Sequence, residues 1–145
     1  MALPPYTDPM SRAPATASHL TRWVGNTPPM PLDRLAAELP PGVRLLAKAE
    51  WFNPGGSVKD RRAVAILQAA MASGRVTPET VLLDSTSGNM GIAYATYGAA
   101  WGLRLHLAIP SNASRERLQI LRALGVELTL TDPTEGTEGA RAVAA

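Results

Sequence analysis

Two short segments of the chain combine residue types that could do chemistry. The first, "NPGGSVKD" at residues 53–60, places Lys59 after a glycine-rich turn and at the start of a helical pattern. Only two of the fourteen basic residues are lysines, so the choice of lysine here is unusual. A cation at a helix N-terminus faces the positive end of the helix dipole, at a cost of roughly 0.3–1 kcal/mol. That field favours the neutral amine, the nucleophile that forms a Schiff base with an aldehyde.

The second segment, "STSGNMG" at residues 85–91, follows an apolar run and leads into another helical pattern. Its first five positions hold three hydroxyls and one amide, at Ser85, Thr86, Ser87 and Asn89. Gly91 allows the backbone to close up, and the N–H groups of the helix start point outward, which is an arrangement that binds an anion. The segment matches neither the dinucleotide nor the Walker phosphate pattern, so it does not indicate a nucleotide.

Each segment also has a plainer interpretation. Lys59 could be a solvated surface residue that follows a Gly-Gly turn. The segment 85–91 could be an ordinary helix N-cap, although one hydroxyl would suffice for that role. From its position alone, Lys59 could be either a surface residue or a Schiff-base nucleophile.

The elements that must position these segments alternate along the chain. Apolar runs of strand length occur at "VRLLAKA", "VLLD", "LRLHLAI" and "VELTL", separated by segments long enough for helices. Apolar residues recur at helical spacing in three of those segments, each of which stops at a glycine: Gly74, Gly102 and Gly125. Ser111, Asn112 and Ser114 are candidate N-caps of the third helix. The pattern predicts an α/β fold with a parallel sheet, a βαβαβ unit that is doubly wound or close to it.

In such a sheet, ligands bind beyond the carboxyl ends of the strands. Both segments follow predicted strands there, so we expect them to share one pocket. We expect the first 22 residues to be an extended or disordered leader, because they carry Pro, Ala, Ser and Thr without an apolar period. Residues 23–145 then form the domain.

Composition excludes several classes of function. The net charge is +2 and the basic residues are scattered, which argues against a nucleic-acid partner. The chain has no cysteine and two isolated histidines, His19 and His106, so we expect no metal site. No apolar run reaches the roughly 18 residues that span a membrane, and no signal pattern is present, so a cytoplasmic location is the default expectation.

Together, "NPGGSVKDR", "TSGNMGIA", the upstream "GNTP" and the downstream "RALGVEL" resemble the cysteine synthase and cystathionine β-synthase family of pyridoxal-phosphate enzymes, those of fold type II. The resemblance runs from about Trp23 to the end of the chain. Within this group, "GGSVKDR" is typical of the β-replacement branch. The resemblance therefore implies pyridoxal phosphate as cofactor and the synthesis of cysteine from O-acetylserine, or a related activated serine, and sulfide.

The resemblance also implies roles for individual residues. Lys59 is the lysine that carries the cofactor and removes the substrate's α-proton, and Asn89 hydrogen-bonds the 3′-oxygen of the cofactor ring. The substrate carboxylate is bound by the segment that contains Thr86, Ser87, Gly88, Asn89 and Met90. Where the family usually carries threonine, this chain has Met90. A homodimer is expected for the complete protein.

The resemblance covers only the N-terminal part of such an enzyme. The family's glycine-rich phosphate loop and the residue that faces the pyridine nitrogen belong to a second half, so we expect this chain alone to be inactive. Cystathionine β-synthase, O-phosphoserine sulfhydrylase and diaminopropionate synthase activities remain alternatives. A different kind of alternative is a short, non-catalytic binding or assembly module that retains the fold.

Other conspicuous residues have structural interpretations. His106 alternates within a strand run and is expected to be a sheet residue with a satisfied ring. Trp51 and Phe52 adjoin the lysine and are expected to pack in the core, or else to line the cofactor site. The three residues after the lysine, Asp60, Arg61 and Arg62, are expected to form the first turn of its helix.

Overall fold

Two sheets organise the part of the chain that the structure, a computed structural model, describes: residues 19–77, 79–86 and 88–145. The smaller sheet pairs β1 (Pro29–Pro31) with β2 (Leu46–Lys48) in antiparallel fashion. The larger sheet is parallel, with strand order β3 (Val81–Ser85), β4 (Arg104–Pro110) and β5 (Glu127–Thr131). Most of the expected leader, and the candidate site residue Ser87, lie outside the described residues.

Within the described residues, five α-helices lie between and after the strands, and three of them end where the sequence predicted. They are α1 (Asp33–Ala36), α2 (Lys59–Ala72), α3 (Asn89–Trp101), α4 (Arg115–Ala123) and α5 (Gly136–Ala144), with short 3-10 helices at His19–Trp23 and Glu50–Phe52. The three predicted stop glycines have left-handed backbones, with φ of 72° at Gly74, 68° at Gly102 and 77° at Gly125. Ser114 caps α4 by accepting a hydrogen bond from the Arg117 N–H at 3.3 Å.

The parallel sheet confirms the predicted fold class. The strands β3, β4 and β5 follow one another in chain order, with α3 and α4 as the connections. The register places Leu82 opposite Leu105 and Leu107 opposite Leu128. Within the described residues the strand order does not reverse, so the reversal that a doubly wound sheet requires is not found there.

The expectation that the run at residues 43–49 joins the parallel sheet was wrong. Only Leu46–Lys48 is a strand, and its partner is the antiparallel β1, with Met30 opposite Ala47. The sequence hid this partner because β1 reads "PMP": proline has no N–H to donate, so it is tolerated only at strand edges and gives no strand signal.

Two apolar clusters fix the helices on the sheet. The first joins α2 to α3 and consists of Ala63, Val64, Leu67, Ala93, Tyr97 and Trp101. The second joins α3 and α4 to the strands and consists of Ala95, Leu105, Leu107, Ile109, Leu121 and Val126. Leu20, from the first 3-10 helix, packs against the first cluster. The predicted domain boundary at residue 23 therefore falls at the end of a short helix that is attached to the core.

Candidate active site

Lys59 is the first residue of α2, and its side chain is exposed. Its backbone N–H donates to Ser57 Oγ at 3.1 Å. Among the residues that the structure describes, no acceptor or carboxylate contacts its amine. The other lysine of the chain differs, because Lys48 Nζ donates to the backbone oxygen of Thr27. Lys59 therefore has its backbone fixed and its amine available to a ligand.

The carboxyl group of Asp60, directly after this lysine, is completely buried. Its Oδ1 accepts from the Gly55 N–H at 2.5 Å and from the Tyr97 hydroxyl at 2.6 Å, and its Oδ2 accepts from the Ser57 N–H at 3.2 Å. A Cβ at Gly55 would lie 2.6 Å from Oδ1, so only glycine leaves room for the carboxyl group. Sequence reasoning gave Asp60 only a place in the first helical turn and missed this role.

A second polar cluster lies around Glu50. Two Arg61 nitrogens donate to its two carboxylate oxygens, each at 3.0 Å. Thr27 Oγ1 donates to Oε1 and Asn53 Nδ2 donates to Oε2, both at 2.9 Å. The hydrogen bond from Arg61, reinforced by those from Asn53 and Thr27, lowers the pKa of Glu50 from 4.5 to about 2. Gly25 N–H donates to Asn53 Oδ1 at 2.8 Å, which ties the upstream "GNT" turn to the lysine segment.

The segment at residues 85–91 lies at the carboxyl end of β3, as predicted. Asn89 is the first residue of α3 and is exposed. The N-cap residue, Gly88, has no side chain, and no side chain among the described residues caps this helix start. The nearest approach is a long contact of 3.4 Å from the Gly88 N–H to Thr86 Oγ1. The Gly91 N–H donates to the Gly88 backbone oxygen at 3.2 Å. Within the described residues, the N–H groups of Asn89 and Met90 are therefore left for a ligand or for water.

Gly91 acts as the sequence suggested. It is buried, and a Cβ there would lie 2.9 Å from Thr86 Cγ2 and 3.2 Å from Leu107 Cδ1. The absence of a side chain lets the first turn of α3 lie close to the end of the sheet. Met90 is half-buried and packs against the α2–α3 cluster. Its side chain therefore contributes to packing between the two helices.

Helices α2 and α3 pack against each other, and each begins with one of the two predicted cofactor-binding residues. The lysine segment follows the small antiparallel sheet and not a strand of the parallel sheet. The packing of α2 on α3 therefore sets its position relative to the parallel sheet. An aldehyde reacts with a free amine, and a carboxylate binds at an uncapped helix N-terminus.

A family model for pyridoxal-phosphate dependent enzymes matches residues 20–145. The chain belongs to this family. It is similar to a cysteine synthase of Aquifex aeolicus, with 48% identity over 83% of this chain, and to an O-acetylserine dependent cystathionine β-synthase of Bacillus subtilis, with 39% identity over 83% of this chain. Those matches cover 37% and 39% of the two relatives, so the chain spans well under half of their length.

Among solved structures, a cysteine synthase of Entamoeba histolytica superposes with a TM-score of 0.81 and 37% identity. The superposition covers 96% of this chain and 41% of that one. Pyridoxal phosphate is the cofactor of the family, as the resemblance implied. The Lys59 amine fits its aldehyde, because that amine is exposed and has no partner in the described part of the chain.

Two remaining expectations, for His106 and for Trp51 and Phe52, have different outcomes. His106 is a half-buried sheet residue whose Nε2 lies 2.8 Å from Thr129 Oγ1, which confirms a satisfied ring. The placement of Trp51 and Phe52 in the core was wrong, because they are 56% and 61% exposed. Both lie in the 3-10 helix Glu50–Phe52, and neither belongs to the two apolar clusters. No His, Asp and Glu cluster able to hold a metal, and no helix able to cross a membrane, occurs within residues 19–77, 79–86 and 88–145.

Proposed function

We propose that the complete protein containing this chain is a β-replacement enzyme of the cysteine synthase type. It replaces the leaving group of O-acetylserine, or of a related activated serine, by sulfide to make cysteine. The observation that carries this proposal is the Lys59 amine, which has no partner within the described residues. Lys59 follows a hydrogen-bonded loop and starts a helix packed against α3. The similarity to cysteine synthases supports the choice of reaction.

The residues have separate tasks in this proposal. Lys59 would hold the cofactor aldehyde through its amine and would take the α-proton of the substrate as general base. Asn89 donates a hydrogen bond to the 3′-oxygen of the cofactor ring. The uncapped first turn of α3 binds the substrate carboxylate, with contributions from Thr86, Ser87, Gly88, Asn89 and Met90. The bound cofactor withdraws electrons from the α-carbon of the substrate.

A second candidate is the synthesis of cystathionine from O-acetylserine. The Bacillus subtilis relative named for that reaction supports it. The two candidates use the same lysine and the same carboxylate-binding segment, and they differ in the thiol that attacks. Supplying O-acetylserine with either sulfide or homocysteine, and measuring the product by mass spectrometry, distinguishes them.

The proposal is tested by trapping the cofactor on the protein. We expect sodium borohydride to fix pyridoxal phosphate on Lys59 of the complete protein, as shown by peptide mapping. Lys59→Arg should lose both the label on this segment and the β-replacement activity. Lys48→Arg is the matched control, since Lys48 is the other lysine of this chain, and it should retain the label on Lys59. A label on Lys48, or no label in the parent, would overturn the assignment.

The proposed homodimer is tested separately by sedimentation of the complete protein. A two-subunit mass is expected because the relatives support an enzyme of this family, and a monomeric enzyme with full activity would contradict it.

A further inference from the structure

The buried carboxyl group of Asp60 joins three parts of the molecule. It belongs to the first turn of α2, it accepts hydrogen bonds from two backbone N–H groups of the preceding loop, at Gly55 and Ser57, and it accepts one from Tyr97 of α3. Lys59 is its neighbour in the chain. The carboxyl group therefore connects the helix that begins with the lysine to the helix that begins with Asn89.

The hydrogen bond between Asp60 and Tyr97 lies in the buried core, which strengthens it. Asp60 and Tyr97 are both completely buried, and hydrogen bonds are stronger where water is excluded. The Tyr97 ring also packs on Trp101, with ring centroids 6.0 Å apart. Burial, followed by the hydrogen bond to Asp60, raises the pKa of Tyr97 well above its usual range. The hydroxyl therefore stays a donor at any pH at which the protein would work.

We propose that Asp60 and Tyr97 are positioning residues that fix the Lys59 amine relative to the first turn of α3. This inference rests on the proposed function, because it assumes that the cofactor is held by Lys59. The backbone at residues 57–60 is held by the Asp60 carboxyl group, so the direction in which the lysine side chain leaves α2 is set there. A misplacement of about 1 Å between reacting groups can cost about a hundredfold in rate.

The test uses Tyr97→Phe, which removes the hydroxyl and keeps the ring. Its matched control is Tyr94→Phe, since Tyr94 lies on the same helix, is half-buried and makes no hydrogen bond within the described residues. In the complete protein, the rate at which pyridoxal phosphate becomes trappable on Lys59 should fall about tenfold in Tyr97→Phe and stay within about twofold of the parent in Tyr94→Phe. Amide exchange at Gly55 and Ser57 should rise only in Tyr97→Phe.

A double-variant comparison separates positioning from a general loss of stability. Asp60→Asn keeps the size of the side chain and removes one acceptor oxygen. If both residues act through their common hydrogen bond, the variant that carries both changes should be trapped no more slowly than the slower single variant. If the fold-reductions of the two single variants multiply in the double variant, the inference is overturned. Equal trapping rates in Tyr97→Phe and Tyr94→Phe would overturn it as well. Absence of trapping in the parent would instead overturn the proposed function, and this inference with it.

Discussion

The two segments that lead into α2 and α3 are built in opposite ways. In residues 53–60, the buried carboxyl group of Asp60 and the amide of Asn53 each have several protein partners, whereas the Lys59 amine has none in the described part of the chain. At the start of α3, no described side chain caps the helix, and a Cβ added at Gly88 would meet nothing within 4 Å. The first segment is therefore rigid without a ligand. The second has capacity for an anion that the described protein does not fill.

The largest expected effect is that of removing the acceptor in the rigid segment. Asp60→Ala leaves two backbone N–H groups and the Tyr97 hydroxyl without their acceptor, and we expect a loss of about 3 kcal/mol or more in the free energy of unfolding. Asp84→Ala is the control from β3, directly before the other segment, since Asp84 is half-buried and, among the described residues, accepts only a local bond, from the Ser85 N–H at 2.7 Å. It should cost about 1 kcal/mol. Equal losses in urea unfolding would contradict the contrast.

A steric test in the second segment should have the next largest effect. Gly91→Ala places a Cβ 2.9 Å from Thr86 Cγ2, and overpacking of this kind costs about 1–3 kcal/mol. Gly88→Ala is the matched control, because a Cβ there meets nothing within 4 Å. Its unfolding midpoint in urea should stay close to that of the parent. A Gly88→Ala variant as unstable as Gly91→Ala would show that this segment is as tightly packed as the lysine segment.

Acid should weaken the cluster around Glu50. Its folded pKa of about 2 lies below its ordinary 4.5, chiefly because of the hydrogen bond from Arg61, so ionised Glu50 stabilises the fold above about pH 4.5. That contribution is lost as the pH falls from 4.5 toward 2. Glu50→Gln cannot titrate, so the difference in unfolding midpoint between parent and variant should shrink over this range. A constant difference from pH 7 to pH 3 would rule out the linkage.

The smallest effect should come from capping the open helix start. Gly88→Asp supplies a carboxylate at the N-cap of α3, where the backbone (φ −116°, ψ −163°) is extended and suits any residue. We expect the free energy of unfolding to rise by about 0.5–1 kcal/mol, because the side chain satisfies N–H groups of the first turn. The same carboxylate should weaken binding of O-acetylserine in the complete protein, measured as a higher KM. Unchanged KM would mean that the substrate carboxylate binds elsewhere.

Much of this arrangement was already determined by the sequence. Apolar runs and helical periodicity located β3, β4 and β5, and the glycines after α2, α3 and α4 marked their ends, because a left-handed C-terminal residue is a local requirement. The same local signals put Lys59 and Asn89 at helix starts. Family membership followed from the motifs around these two residues, and the family match over residues 20–145 confirmed it.

Only the tertiary structure decided which polar groups support the lysine. The bond between Asp60 and Tyr97 joins residues 37 apart in the chain, and no spacing rule connects them. Local sequence also did not predict that β2 pairs with the proline-containing β1, or that Trp51 and Phe52 are exposed. Each depends on which parts of the folded chain come together. A local pattern reports what a segment can form, whereas burial and partnership are set by distant residues that compete for the same space.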